Sequence, residues 1–340
     1  MDATLTVEQE MLVETAEQLG GRLSSLQADP DPRGWDRIRE VGWCGLRAHD
    51  DERRPYASGV EIGLVAESFG RHLTVQPFLG AVLGGELLTL ADAPPPTVEP
   101  ALAGETIVVP LLAESLTRLA TGHEPGVAWD GLGASHAVLA EPRADGDADL
   151  AVVDLSAAAT ADGVDASRAL RRIPPAPDAV EVVGRLSAAD HSRWLAFALA
   201  TVACELVGVM EASLERAVRH ATDRSQFDRT IASFQAVQHL CAEQVVSIDA
   251  ARSAAYYAAW AVDELVPSKA LLAARVAKVY CGKAALQVTE AAIQIHGGMG
   301  MTWECDAHRF LRRAILDRQV LGGEDEHLAA IADERMGEAA

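Results

Sequence analysis

The 340-residue chain is short of positive charge: 29 lysines and arginines face 50 aspartates and glutamates, a formal net charge of −21. Phosphate-backbone binding needs a basic face, so the charge argues against nucleic acid as a partner. It does not argue against a small anionic cofactor held by a few placed arginines. Cysteines are few and unpatterned. Cys44, Cys204, Cys241, Cys281 and Cys305 are odd in number and form no C-x-x-C pair, which argues for reduced thiols in a cytoplasmic protein and against a disulfide framework or a zinc site. Long apolar runs are missing too. The longest, Trp194 to Cys204, is too short to span a bilayer. Met1-Asp2-Ala3-Thr4-Leu5 shows no basic segment leading into an apolar core, so no signal peptide is expected.

What remains is an ordinary globular composition, 49% hydrophobic and 23% charged, in a chain long enough for two or three subdomains. Residues 1–100 read as a helical N-terminal domain. Leu12, Ala16 and Leu19 fall at helical spacing before Gly20-Gly21, and apolar positions recur at three and four from Val60 to Phe69 and from Phe78 to Leu90. Asp92-Ala93-Pro94-Pro95-Pro96 stops this pattern, because consecutive prolines cannot continue a helix. Residues 101–186 then carry short β-branched runs: Thr106–Val109, Ala137–Leu139, Ala151–Val153 and Val180–Val183. Glycine, aspartate and proline punctuate them, which predicts a small antiparallel β domain.

From residue 187 to 340 the pattern is helical again, in longer units. Ser187 with Asp190 reads as a capping box opening a helix to about Asp223. Its apolar face holds Leu195, Leu199, Val202, Leu206, Val209 and Leu214. Further helices are expected from about Ser233 to Leu265, Ser268 to Gln294 and Asp306 to Leu321, stopped by Pro267, Gly297-Gly298 and Gly322-Gly323 in turn. Four long helices with short connections predict an antiparallel bundle. The fold class is thus mainly α with a small β domain.

Two stretches stand at the ends of these helices, seventy residues apart: Arg224-Ser225-Gln226-Phe227 and Gln294-Ile295-His296-Gly297-Gly298. The first offers a guanidinium, an amide and a ring; the second an amide, an imidazole and bare backbone. A planar guanidinium grips phosphate with a donor fork, and glycine lets backbone approach it closely. Taken singly, each has a plainer reading. Arg224 could complement a helix dipole, Gly297-Gly298 could be a helix C-cap, and phenylalanines are more often core.

The order of helical domain, small β domain (barrel or sandwich) and bundle, with Arg224-Ser225-Gln226-Phe227-Asp228 and Gln294 to Glu304 in the bundle, resembles the acyl-CoA dehydrogenase family. The resemblance is strong over residues 187–323 and weak before them. It implies FAD bound across a subunit interface, with the pyrophosphate and adenosine held by one subunit's bundle. Arg224 would pair with the pyrophosphate. Gln226 and Phe227 would lie beside it, and Gln294, Ile295, His296, Gly297 and Gly298 would line the same trough.

The departures matter as much. A family loop of the form T-E-P-x-A-G-S-D, which holds the flavin ring, is replaced by Leu111-Leu112-Ala113-Glu114-Ser115-Leu116-Thr117-Arg118-Leu119. The glutamate base of a Y-E-G-T turn becomes Leu321 in Val320-Leu321-Gly322-Gly323, and a leucine abstracts no proton. Glu205 is the one displaced carboxylate worth weighing as a base; burial would raise its pKa, although a partnered structural role is the plainer reading. Glu324 reads as the acidic first turn of a terminal helix. The resemblance therefore implies the partner subunit of a heteromeric enzyme of actinobacterial steroid side-chain type. That subunit would share FAD with a longer paralogous subunit in an α2β2 assembly. The enzyme would act on an acyl-CoA and pass electrons to an electron-transfer flavoprotein or similar acceptor. Alternatives are a self-sufficient homo-oligomer using a displaced carboxylate, and a non-catalytic scaffold of the same fold.

Overall fold

The computed structural model describes residues 4–26 and 33–338; Met1-Asp2-Ala3 of the leader expectation lie outside the described residues. The N-terminal part holds five helices: α1 (Val7–Arg22), α2 (Gly34–Glu40), α3 (Gly59–Arg71), α4 (Phe78–Leu90) and α5 (Pro95–Leu102). Their starts are chemically marked. Thr6 and Ser58 cap α1 and α3, each in a reciprocal capping box with Gln9 and Glu61. Pro95 opens α5, where its missing N–H costs nothing.

Seven strands follow: β1 (Val108–Ala113), β2 (Gly126–Trp129), β3 (His136–Pro142), β4 (Ala148–Asp154), β5 (Ala159–Ala161), β6 (Leu170–Ile173) and β7 (Glu181–Leu186). They form one sheet in the order β5-β6-β2-β1-β3-β4-β7. The wholly antiparallel expectation needs correcting, since β1 and β3 pair in parallel. β2 folds back against one side of β1, so the chain must cross to reach the free side, and β3 arrives there running the same way. Leu111–Ala113, expected in a loop, extends β1 against β2. A tight turn after it closes with Ala113 N–H donating to the Arg118 carbonyl.

The bundle comprises α6 (Ala188–Asp223), α7 (Gln235–Glu264), α8 (Pro267–His296) and α9 (Ala307–Gln319), followed by α10 (Glu324–Glu338). Ser187 Oγ accepts from Asp190 N–H to cap α6. Of its expected apolar face, Leu199, Val202, Leu206, Val209 and Leu214 are buried. α6 is long and apolar enough to cross a membrane by composition, against the sequence expectation, yet 89% of that window is buried inside the protein. Small residues make this possible. Ala255, Ala258 and Ala259 of α7 and Ala277, Ala284 and Ala285 of α8 are almost fully buried, and Gly208 of α6 lies so near α3 that a Cβ would collide with the Glu67 carbonyl. Because α7 runs against both, α6 and α8 are parallel and end together. Ala217 and Ala221 pack there on Ala292 and Ile295.

Candidate functional site

The common end of α6 and α8 gathers both singled-out stretches. Directly after α6, Ser225-Gln226 (β8) and Arg229-Thr230 (β9) form a miniature hairpin whose two-residue loop is Phe227-Asp228. Both loop residues are left-handed, at φ 55° and 61°, the geometry of a type I′ turn that asparagine and glycine normally supply. A phenylalanine there carries strain of the kind that collects at functional sites, and its ring is 87% exposed. Phe234 meets it edge-on at 6.3 Å between centroids, while the Arg229 guanidinium covers Phe234 at 4.0 Å. Arg224 and Gln226 are exposed. Among the described residues, the Arg224 guanidinium makes no hydrogen bond or ion pair within the chain.

Opposite stands the end of α8. Gln294 is exposed and Ile295 is buried in the small core beneath. Gly297 sits at φ 65°, ψ −148°, a region open in practice to glycine alone. Gly298 has no such need: its φ is not positive, and a Cβ placed on it would meet nothing within 4 Å. Nothing within the chain requires glycine there. The following 3-10 turn, residues 297–301, and Thr302-Trp303 leave Met301 65% and Trp303 74% exposed. His296 half-fills the gap to α6, its ring stacked on His220 at 4.5 Å between centroids. His220 escaped the sequence reading because its partner is 76 residues away. Helix C-termini carry a partial negative charge, so an anion here would rely on the side-chain cations Arg224 and Arg229, with the two imidazoles beside them.

The position where the family's base was expected is built differently. Leu321 lies between α9 and α10 at φ 61°, 3% exposed, with its N–H donating to the Leu116 carbonyl at 2.7 Å. Leu116 tips the turn after β1, where the flavin-ring loop was sought. The two substituted stretches therefore meet and pack together. Behind them, a buried ion cluster joins the sheet, α6 and α9. Glu205 accepts from Arg168 at 2.5 and 2.6 Å and from Arg313 at 2.7 Å. Arg168 also pairs with Asp130 at 2.8 Å, and Arg313 with Asp165. Trp129 lies beneath Arg168, 4.9 Å from its guanidinium to the ring centroid.

Glu205 is thus a carboxylate clamped by two guanidiniums with no free oxygen to act as a base. Its burial is answered by partners, and removing one partner of such a pair is costly. Three carboxylates share two arginines, and a fourth, Asp317, lies buried nearby. Burial pushes the Asp317 carboxyl well above the usual range, with Glu205 adding to it, and neither Asp317 oxygen finds a hydrogen-bond partner among the described residues. Burial likewise lowers the Lys278 amine to about 7 while it donates to the carbonyls of Arg318 and Gly322.

Residues 178–337 match the family model for the acyl-CoA dehydrogenase C-terminal domain. Acyl-CoA dehydrogenase IpdE2 of Mycobacterium tuberculosis strain H37Rv is 28% identical over 344 residues, covering 96% of this chain and 97% of the relative. Acyl-CoA dehydrogenase FadE34 of the same strain is 40% identical over 134 residues, so the match takes in only 19% of that protein's length. Among solved structures, a chain of the Tcur3481–Tcur3483 steroid ACAD superposes with a TM-score of 0.84 at 21% identity, covering 98% of this chain and 99% of that one. The helical domain, sheet and bundle have the fold of that solved structure. Residues 178–337 thus belong with the acyl-CoA dehydrogenase C-terminal domain, and over its whole length the chain resembles acyl-CoA dehydrogenases.

Proposed function

We propose that this chain is the non-catalytic subunit of a two-chain, FAD-dependent acyl-CoA dehydrogenase, lending the pyrophosphate and adenosine half-site to a longer paralogous subunit. The observation that carries this reading is the contrast at the two positions. Leu321 is packed against Leu116 where a base would stand, while Arg224, Gln294 and bare Gly298 face outward together. A glycine that its own chain does not require suits an outside body passing close to the backbone. The residues present fit an FAD pyrophosphate: a guanidinium with no hydrogen bond or ion pair among the described residues, a strained exposed ring and open amide backbone at one helix end.

In this reading Arg224 pairs with the pyrophosphate through its donor fork. Phe227 and Gln226 flank the nucleotide, and Gln294 with the Gly297-Gly298 backbone lines the trough beside Ile295 and His296. When bound, FAD supplies the hydride-accepting centre for α,β-dehydrogenation of the thioester. The partner supplies the proton-abstracting carboxylate and most of the acyl pocket. A bulky, steroid-like acyl-CoA is the substrate class we favour, because the similar fold of Tcur3481–Tcur3483 belongs to a steroid ACAD. An α2β2 assembly, an electron-transfer flavoprotein as acceptor and a cytoplasmic location complete the proposal. So does a division of the chain near residues 100 and 187.

The test is a visible absorption spectrum of the purified chain, alone and co-expressed with a longer paralogue. Flavin bands confined to the co-purified complex, at about one per pair, support the shared site. Stoichiometric flavin on the chain alone overturns it in favour of a self-sufficient enzyme. Flavin in neither preparation favours a scaffold.

A further inference from the structure

The proposed cradle has an electrostatic difficulty. It lies at the C-termini of two parallel helices, where the backbone dipoles repel an anion. His220 occupies the last turn of α6 and His296 the last turn of α8. Their rings stack at 4.5 Å with 24° between planes. His296 Nδ1 lies 2.8 Å from the Ala292 carbonyl oxygen. That oxygen can only accept, so Nδ1 carries a hydrogen and Nε2 is the nitrogen left to take up a proton.

His220 feels His296, Arg224 and Asp223. The 3-10 turn 231–233 and α7 bring Ile231, Ala232, Val237, Leu240 and the Cys241 thiol to the small core under them. Two cations at stacking distance repel, so the pair has room for one added proton and not two. In the free chain burial holds His220 below the ordinary imidazole value, with His296 and Arg224 adding to the effect. A diphosphate arriving beside Arg224 reverses that balance.

We propose that His220 and His296 form a proton-accepting pair in the cradle, taking one proton from solvent onto an imidazole nitrogen when a pyrophosphate group seats against Arg224. This rests on the reading that the α6–α8 end holds the cofactor's pyrophosphate. The pair offsets the two helix dipoles only while the ligand is present, so affinity is greatest on the acid side. It falls as pH rises through the pair's protonation point in the bound state.

The experiment follows the histidine Cε1 and arginine Nε resonances of the full chain against pH, with and without saturating inorganic pyrophosphate. His220→Gln and His296→Gln variants assign the signals. We expect one imidazole of the pair to protonate about one pH unit higher with pyrophosphate, as an opposite charge at such range produces. Each single variant should abolish the coupling seen in the other ring. An Arg224 signal that responds while neither imidazole moves overturns the pair and leaves the cradle standing. A chain in which Arg224 and both imidazoles stay unmoved loses the cradle and the pair together.

Discussion

The junction behind Leu321 and the shared end of α6 and α8 use charge and apolar surface in opposite ways. At the junction every strong charge is spent internally: two arginines are shared among Asp130, Asp165 and Glu205, and Leu116 meets Leu321. At the helix end the Arg224 guanidinium makes no hydrogen bond or ion pair among the described residues, and Phe227, Met301 and Trp303 are largely exposed. Exposed apolar side chains clustered at one end mark a surface that meets something. A catalytic centre has to keep a reactive group accessible to substrate; this junction buries its carboxylates. The chain is finished inside and unfinished at its edge, as a subunit that completes another's site would be.

The largest expected effect tests whether the junction is structural. Arg313→Leu leaves buried Asp165 without its guanidinium and Glu205 with Arg168 alone. We expect a loss of about 3–5 kcal/mol in chemical denaturation, the range for breaking a buried pair from one side. A loss under about 1 kcal/mol would mean the cluster is solvated and open to ligand. Leu321→Glu comes next. A carboxylate placed there is buried among apolar neighbours and should cost about 2–3 kcal/mol. It should confer no turnover on acyl-CoA substrates in a dye-reduction assay. Activity restored by that single change would make the junction an active site lacking only its base.

How far these two regions could be read in the sequence differs for a physical reason. The helix end announces itself locally. Gly297-Gly298 and Arg224 follow directly from helix-stop chemistry, and α6 to α9 lie close to their expected spans. The junction is held by partners far apart in the chain. Arg168 lies 37 residues and Arg313 108 residues from Glu205, so the sequence shows a carboxylate among apolar residues and hides what answers its charge. β2 and β6 escaped for a related reason. Gly126-Val127-Ala128-Trp129 and Leu170-Arg171-Arg172-Ile173 have few β-branched residues, and they become strands because β1 and each other's backbones pair with them. The parallel β1–β3 pairing likewise depends on a crossover that no local pattern encodes.

Arg224→Ala addresses the open end and sharpens the contrast by splitting two readouts. The side chain is exposed and makes no hydrogen bond or ion pair among the described residues, so stability should stay within about 0.5 kcal/mol of the parent. Flavin retention by the co-purified complex should fall by roughly tenfold to a hundredfold, the worth of a charge-assisted bond to phosphate. Unchanged retention, measured by spectral titration, would remove the guanidinium from the cofactor site.

The finest comparison lies within one dipeptide. Gly297 and Gly298 are adjacent and both exposed, yet their reasons for being glycine differ. Gly297 holds φ 65° and ψ −148° at the end of α8, so Gly297→Ala strains the backbone by about 1–3 kcal/mol and should lower the melting temperature of the chain alone. Gly298→Ala adds a methyl group to open space without a positive φ, so the chain alone should melt as before. If the backbone at Gly298 is left bare for a cofactor or a partner loop, the same methyl should weaken flavin retention in the complex. A Gly298→Ala complex that holds flavin like the parent would show that nothing approaches that backbone. The trough would then have to lie on the Arg224 side alone.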